Sequence, residues 1–216
     1  MNEQFIKWAK KQVGKTTAIT KEKHGDQSDV FRVETLCGNY FLKIGTNLER
    51  EKGRLEWLNG KLSVPEVVGF TKINDKEALL LSAIEGNNLA VLKKEWSPEK
   101  VVDKLVEAIK KFHNTGIENC PFGTFQSGMV LVHGDACIPN FIFKGNDFSG
   151  YIDLGDVIIG NPEIDFAAAI WSLQYNLGKG YGLRFLKSYG IKNATEQLVE
   201  ELRLKYEEMQ KEWGLL

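Results

Sequence analysis

The chain has 216 residues, of which 43% are hydrophobic, and its 28 basic and 29 acidic side chains give a formal net charge of −1. This balance argues against nucleic acid or an anionic membrane as the main partner, because either would favour a basic excess. The three widely spaced cysteines fit a reducing compartment better than a disulfide scaffold. No apolar run reaches signal-peptide or membrane-spanning length, so we expect a cytoplasmic protein.

The first 84 residues are predicted to be mostly strand. Two alternating, β-rich runs flank Cys37-Gly38-Asn39 and predict a hairpin. An amphipathic helix precedes them, and a second helix follows them. The predicted elements are, in chain order, a helix at 5–13, strands at 30–36 and 40–44, a helix from Leu48 to Asn59, and strands at 66–70 and 78–81.

The remainder of the chain is predicted to be mainly helical. Ser97-Pro98-Glu99 is typical of a helix start, and Asn114-Thr115-Gly116 of its end. Short strands are expected within 130–155, and helices after Pro162. The last helix is expected from about Asn193, with Tyr206 on its apolar face. We therefore predict an α+β fold with a sheet-rich N-terminal lobe (1–84) and a larger helical C-terminal lobe (85–216).

Polar residues with phosphate chemistry concentrate at 133–155. Magnesium prefers hard oxygen ligands and uses few protein carboxylates when it also binds phosphates. Asn140 precedes the run Phe141-Ile142-Phe143, and Asp153 follows Gly150-Tyr151-Ile152, so a hairpin would bring them to one end. Asp135, on the preceding loop, is placed to accept the proton of a substrate hydroxyl. Such residues also populate ordinary turns, but the combined pattern H-G-D-x4-N followed by D-x-G favours a functional site.

A phosphate site also needs a cation. Lys43 ends a strand on the same face as Phe41, and Glu51 falls on the apolar stripe of the following helix. A carboxylate on a buried face is costly without a partner, and Lys43 is the nearest one. The two residues resemble the strand-lysine and helix-glutamate pair of protein kinases.

Four segments resemble the aminoglycoside phosphotransferase family, relatives of the protein kinases. They are LEREKGRLEWLNGKLSVPEV, HNTGIENCPF, LVHGDACIPNFIF and GYIDLGD. The resemblance implies a protein-kinase-like, two-lobed fold and Mg-ATP-dependent transfer to a hydroxyl group. It implies that Asp135 is the catalytic aspartate, that Asn140 and Asp153 bind Mg²⁺, and that Lys43, anchored by Glu51, contacts the α- and β-phosphates of ATP.

The resemblance also implies where the nucleotide lies. Phe41 would cover the adenine, and the backbone of Ala83 and Ile84 would bind its edge. The segment from Gly25 to Asp29, which includes Ser28, would form the flap over the phosphates.

The sequence allows more than one class of phosphoryl acceptor. Only ten residues separate Phe122 from His133, where antibiotic-modifying members carry a helical insertion with acidic contacts. The first hypothesis is an aminoglycoside, modified as by the 3'-phosphotransferases. Alternatives are a kinase of an amino alcohol or sugar and a nucleotide-binding pseudoenzyme. Acidic contacts to a polycation could come from a set of C-terminal residues: Glu163, Glu196, Glu200 and Glu201.

Other notable residues are predicted to be structural. His133 is expected to brace its loop by hydrogen bonds, Cys137 to be a loop spacer, and Asp165 to serve the start of a helix. His24 and His113 are expected at the surface or as helix caps. Three aromatic residues at helical spacing are expected mainly in the core, although one of them could face the acceptor: Trp171, Tyr175 and Trp213.

Overall fold

The structure is a computed structural model that describes residues 2–22 and 28–212. Of the residues singled out above, His24, Gly25 and Trp213 lie outside the described part. The chain divides into two compact units, residues 1–84 and 85–216, which are described separately below.

The N-terminal unit is built on a five-stranded antiparallel sheet in the order β1-β2-β3-β5-β4. The predicted hairpin across Cys37-Gly38-Asn39 is confirmed as the β2–β3 pair. Strand β1 was not predicted, because its TTAITK sequence contains one large apolar side chain and lies half-exposed at the sheet edge. The strands are β1 (Thr16–Lys21), β2 (Ser28–Thr35), β3 (Asn39–Gly45), β4 (Val67–Ile73) and β5 (Lys76–Ser82).

Two helices pack on this sheet. Helix α1 (Asn2–Val13) buries Phe5 and Ala9 against one face, in a core that includes Leu42 and Ile44 of β3. Helix α2 (Leu48–Leu58) contacts β3, β4 and β5. Because side chains alternate along a strand, Phe41 and Lys43 lie on the face opposite Leu42 and Ile44.

In its described residues, 85–212, the C-terminal unit combines five α-helices with two small antiparallel sheets, β6-β8-β9 and β10-β7. Ser97 caps α4 as predicted, with its hydroxyl oxygen accepting the N–H of Lys100 at 3.3 Å. The elements are β6 (Asn87–Asn88), α3 (Leu89–Leu92), α4 (Pro98–His113), β7 (Val130–Val132), a 3-10 helix (Ile138–Asn140), β8 (Phe141–Lys144), β9 (Asp147–Tyr151), β10 (Ile158–Gly160), α5 (Glu163–Leu177), α6 (Tyr181–Tyr189) and α7 (Glu196–Glu212).

The last helix begins three residues later than predicted. Thr195 accepts the N–H of Leu198 through its hydroxyl oxygen at 3.1 Å, so this threonine caps α7. Strand β10 escaped prediction because it is only three residues long. No helix in the described ranges is both long and apolar enough to cross a membrane.

Candidate active site

The loop from His133 to Asn140 holds the carboxylate of Asp135. Asn140 donates through its Nδ2 atom to Asp135 Oδ2 and to the Asp135 carbonyl oxygen, both at 2.9 Å. The 3-10 turn that ends at Asn140 closes the five-residue separation between the two side chains. The Asn140 side chain thus uses its amide nitrogen to hydrogen-bond Asp135, and the Asn140 amide oxygen takes no part in that contact.

A second carboxylate, that of Asp165 at the start of α5, supports the loop by hydrogen bonds to its backbone. It is 0% exposed. Its Oδ2 atom accepts the N–H of His133 at 2.8 Å and Nε2 of His113 at 2.9 Å, and its Oδ1 atom accepts the N–H of Gly134 at 2.9 Å. The structural role predicted for Asp165 is confirmed, because two of its three hydrogen bonds fix the backbone immediately before Asp135.

The prediction that His113 is a surface or capping residue was wrong. His113 is 6% exposed, and its Nδ1 atom lies 2.8 Å from the Tyr189 hydroxyl, which burial keeps protonated by raising the Tyr189 pKa. The available signal was periodicity, since His113 lies four residues after Ile109, on the buried stripe of α4.

Gly134 is a glycine for steric reasons. Its φ is +86°, and a Cβ atom there would lie 2.4 Å from the carbonyl oxygen of Asp156. Both the left-handed backbone and the close approach exclude a larger residue. A glycine is therefore required at the second position of the H-G-D motif, because the loop packs closely against the segment after β9.

His133 joins the loop to the segment that carries Asp153. Its Nε2 atom lies 3.1 Å from the carbonyl oxygen of Ile152, which can only accept, so Nε2 carries the proton. Its Nδ1 atom can then accept the N–H of Asp135, at a long 3.4 Å. The N–H of Ile152 donates to the carbonyl of Asn140 at 3.0 Å. The predicted bracing role of His133 is confirmed.

Asp153 and Asn140 lie at the same end of the β8–β9 hairpin, as predicted. Strand β9 ends at Tyr151, two residues before Asp153, and β8 begins directly after Asn140. Asp153 is exposed and has a φ of +59°. A left-handed conformation is uncommon for residues other than glycine, and such residues concentrate at functional sites.

In the N-terminal unit, Lys43 and Glu51 form the predicted ion pair. Lys43 Nζ lies 2.7 Å from Oε1 and 2.9 Å from Oε2 of Glu51. Their side chains are only 14% and 5% exposed. A charge-assisted contact to both carboxylate oxygens restricts where the ammonium can lie. The pairing is confirmed, whereas the roles of the two residues toward a nucleotide stay predictions.

The predicted nucleotide-contacting residues that the structure describes lie on or next to strands β2, β3 and β5. Phe41 is half-buried on the face that carries Lys43, and Ser28 begins β2 opposite Gly45. The Ala83 N–H donates to the carbonyl of Asn39 at 2.9 Å, so it is already used within the fold. The Ile84 N–H has no hydrogen-bond partner among residues 2–22 and 28–212.

Tyr206 of α7 reaches the loop from the far end of the sequence. Its hydroxyl donates to Asp135 Oδ1 at 2.8 Å and lies 3.5 Å from Cys137 Sγ. Burial raises the pKa of Tyr206, and the neighbouring Cys137 and Asp135 raise it further, so the phenol stays protonated. The sequence predicted only that Tyr206 lies on the apolar face of this helix. Periodicity alone does not show what its hydroxyl contacts.

Cys137 is not an activated nucleophile. Burial raises the pKa of its thiol well above the ordinary value, and the charge of Asp135 adds to this effect. The structure therefore supports the prediction of an unreactive residue within the loop.

The core position predicted for Tyr175 was wrong. Its side chain is 78% exposed, and its ring stacks in parallel on Trp171, with centroids 5.4 Å apart, instead of entering the core. Trp171 is half-buried and lies 5.5 Å from the ring of Tyr206.

The acidic residues considered for a polycationic acceptor are mostly engaged elsewhere. Glu163 pairs with Lys205 at 3.4 Å, and Glu200 pairs with Arg203 at 2.8 Å. Glu201 accepts a hydrogen bond from Gln197 at 2.9 Å. These contacts neutralise or occupy acidic side chains on α5 and α7.

Comparison with known proteins identifies relatives of this chain. A model described as "Phosphotransferase enzyme family" matches residues 125–203. The aminoglycoside 3'-phosphotransferase of Staphylococcus aureus is 39% identical over 199 residues, which cover 70% of this chain and 76% of the relative. That of Niallia circulans is 25% identical and covers 92% of this chain and 96% of the relative.

Solved structures show the same fold. An aminoglycoside 3'-phosphotransferase of type VIII has a TM-score of 0.74 at 17% identity, covering 94% of this chain and 97% of that chain. An aminoglycoside phosphotransferase from Streptomyces rimosus, solved with ADP and streptomycin, has a TM-score of 0.72 at 19% identity, covering 94% and 96%. These likenesses confirm the predicted fold class.

Proposed function

Because the chain belongs to the aminoglycoside phosphotransferase family, we propose that it transfers the γ-phosphoryl group of ATP to a hydroxyl group of an aminoglycoside, in the manner of the 3'-phosphotransferases. The observation that carries this proposal is the held carboxylate of Asp135. Its two oxygens accept from Asn140 and Tyr206, at 2.9 and 2.8 Å, while Asp165 holds the preceding backbone. A cytoplasmic location is part of the proposal.

Asp135 orients the acceptor hydroxyl and receives its proton. The acceptor oxygen forms a bond to the γ-phosphorus, the bond from that phosphorus to the β–γ bridging oxygen breaks, and ADP leaves. Phosphoryl transfer needs little covalent chemistry from a protein, so positioning and charge stabilisation supply most of the rate. The rigid support of Asp135 suits that requirement.

Asn140 and Asp153 are the residues suited to hold Mg²⁺. Both carry hard oxygen donors, and because Asn140 uses its amide nitrogen for Asp135, its oxygen is the atom available for a cation. The exposed carboxylate of Asp153 lies at the same end of the hairpin. A magnesium ion held by these two residues would supply positive charge that offsets the charge of the ATP phosphates.

The Lys43–Glu51 pair serves the nucleotide. Glu51 restricts the Lys43 ammonium, which contacts the α- and β-phosphates of ATP. Phe41 covers the adenine, and the backbone of Ala83 and Ile84 binds its edge. The flap from Gly25 to Asp29, with Ser28, covers the phosphates.

A kinase of an amino alcohol or sugar is the second candidate. The observation that favours it is the pairing of Glu163 with Lys205 and of Glu200 with Arg203, which reduces the negative charge offered to a polycation. The ten-residue segment between Phe122 and His133 points the same way.

The test is a coupled assay of ADP release with purified chain, Mg-ATP and a panel of aminoglycosides, amino alcohols and sugars. We expect turnover with at least one aminoglycoside, and a loss in kcat of about 10²- to 10⁴-fold for Asp135→Asn, measured well below the melting temperature of the variant. The matched control is Asp147→Asn, which changes an exposed aspartate at the β8–β9 turn.

The outcomes of this assay distinguish the hypotheses. Turnover only with an amino alcohol or sugar selects the second candidate. ATP binding without ADP release across the whole panel selects the pseudoenzyme. Normal turnover by Asp135→Asn overturns the assignment of the catalytic aspartate.

A further inference from the structure

Tyr206 touches the proposed catalytic carboxylate directly. Its hydroxyl oxygen lies 2.8 Å from Asp135 Oδ1, while Asn140 Nδ2 lies 2.9 Å from Asp135 Oδ2. Each oxygen of the carboxylate therefore has a donor of its own. One donor comes from the loop that carries Asp135, and the other comes from a helix 71 residues away in sequence.

The phenol proton points to Asp135. A tyrosine hydroxyl has one proton, and two acceptors near it are Asp135 Oδ1 at 2.8 Å and Cys137 Sγ at 3.5 Å. The carboxylate is the stronger acceptor, because charge-assisted hydrogen bonds are shorter and about twice as strong as neutral ones. The half-buried Cys137 thiol donates to the Ala168 carbonyl at 3.8 Å, and its sulfur is only a weak acceptor for the phenol proton.

The position of the Tyr206 ring is fixed by packing. Tyr206 is 3% exposed, and its ring contacts Trp171 of α5 at a centroid distance of 5.5 Å. Leu202, one turn earlier on α7, is also 3% exposed. A hydroxyl on a buried ring is a rigid donor, since little side-chain freedom remains to be lost when the hydrogen bond forms.

We propose that Tyr206 is a positioning residue for phosphoryl transfer, holding Asp135 in the orientation in which it meets the acceptor hydroxyl. The inference rests on the proposed function. Each carboxylate oxygen has two lone pairs, so Oδ1 can accept from Tyr206 and still receive a hydrogen bond from the acceptor. Helix α7 thereby contributes to the active site and not only to the core.

The test compares Tyr206→Phe with the unmodified chain in the ADP-release assay. The substitution removes one oxygen and keeps the ring that packs on Trp171. We expect kcat to fall by about 10- to 100-fold, because a small misplacement of a catalytic group is costly. We expect KM for ATP and for the acceptor to change by less than about twofold, since Tyr206 acts on Asp135 and not on substrate affinity.

Two controls separate positioning from stability. Tyr151→Phe makes the same chemical change at a buried tyrosine whose hydroxyl donates to the Ala108 carbonyl at 2.9 Å. Leu202→Ala removes packing from α7 without touching Asp135. Both are expected to lower the melting temperature, and both are expected to leave the kcat of the folded protein near its original value.

A double-mutant cycle shows whether Tyr206 acts through Asp135. In the Asp135→Asn background, adding Tyr206→Phe is expected to cost less than about threefold in kcat, because the group that it positions is already lost. An equal loss in both backgrounds overturns the inference. The inference is also overturned if Leu202→Ala lowers kcat in proportion to its loss of stability, because general destabilisation would then explain the loss of activity.

The remaining outcomes distinguish this inference from the proposed function. No turnover by the unmodified chain with any acceptor overturns both. Turnover by the unmodified chain with undiminished kcat in Tyr206→Phe overturns the inference alone. A higher kcat in Tyr206→Phe also overturns it, since Tyr206 would then compete with the acceptor for Asp135.

Discussion

Asp165 offers the sharpest test of what holds the loop that carries Asp135 in place. Asparagine at this position keeps the size of the side chain but removes its charge and replaces one acceptor oxygen with an NH₂ group. The aspartate accepts three hydrogen bonds, from the His133 and Gly134 N–H groups and from His113 Nε2. Whichever way the new amide is oriented, at least one of these donors faces another donor.

The size of the effect follows from these contacts. Hydrogen bonds to a charged group contribute about 1.5–3 kcal/mol each, and a buried donor left without a partner adds its desolvation cost. One or two such losses at a site that is 0% exposed predict a destabilisation of about 3 kcal/mol, with an upper bound near 5 kcal/mol. For a protein of this size, about 3 kcal/mol lowers the melting temperature by about 6–12 °C.

Thermal unfolding followed by circular dichroism measures this difference, with Asp103→Asn as the matched control. Asp103 is also ion-paired, with Arg184 at 2.8 Å, but the two side chains are 52% and 43% exposed. An exposed pair contributes about 0–1 kcal/mol, so the control is expected to shift the melting temperature by less than about 4 °C. If Asp165→Asn is no less stable than Asp103→Asn, the account of the loop support is wrong.

Three further predictions follow from other contacts. Glu77→Gln is expected to cost about 1 kcal/mol at pH 7, because Glu77 accepts the N–H of Glu49 at the start of α2 at 3.1 Å. Burial alone would raise the pKa of Glu77, but hydrogen bonds lower it. The cost of the substitution is therefore present above pH 4.5 and disappears as the pH falls through the lowered pKa. Urea unfolding at pH 7 and at low pH measures this difference, and a cost that does not change with pH contradicts the prediction. Cys137 is expected to resist iodoacetamide at pH 8 while the exposed Cys37 reacts, because burial raises the pKa of the Cys137 thiol; mass spectrometry that finds Cys137 labelled first refutes the prediction. Glu51→Gln is expected to raise KM for ATP about tenfold, a loss of about 1.4 kcal/mol, because Lys43 loses its charged anchor; an unchanged KM counts against that role.

Much of the site could be predicted because its residues are close in sequence. Asp135 and Asn140 are five residues apart, and one 3-10 turn brings them together. Lys43 and Glu51 are eight residues apart, on a strand and the helix that follows it, so the periods of the two elements were sufficient to pair them. In both cases the local backbone conformation almost completely determines the contact.

The supporting contacts span much longer stretches of sequence. His113 meets Asp165 across 52 residues, through the packing of α4 near α5. Tyr206 meets Asp135 across 71 residues, through the packing of α7 on α5. A periodic pattern shows which face of a helix is buried, but it does not show which polar atom lies opposite a given side chain.

The amino-acid sequence by itself was sufficient to predict that Asn140 and Asp153 share one end of a hairpin, that Lys43 pairs with Glu51 and that the fold class is α+β, because each depends on local spacing and periodicity. Only the tertiary structure showed that Asp165 holds the loop from α5 and that Tyr206 reaches Asp135 from α7. It also showed that several acidic residues of α5 and α7 already have partners. The physical reason is that these contacts depend on how separate helices pack, and packing selects one arrangement among many that share the same hydrophobic pattern.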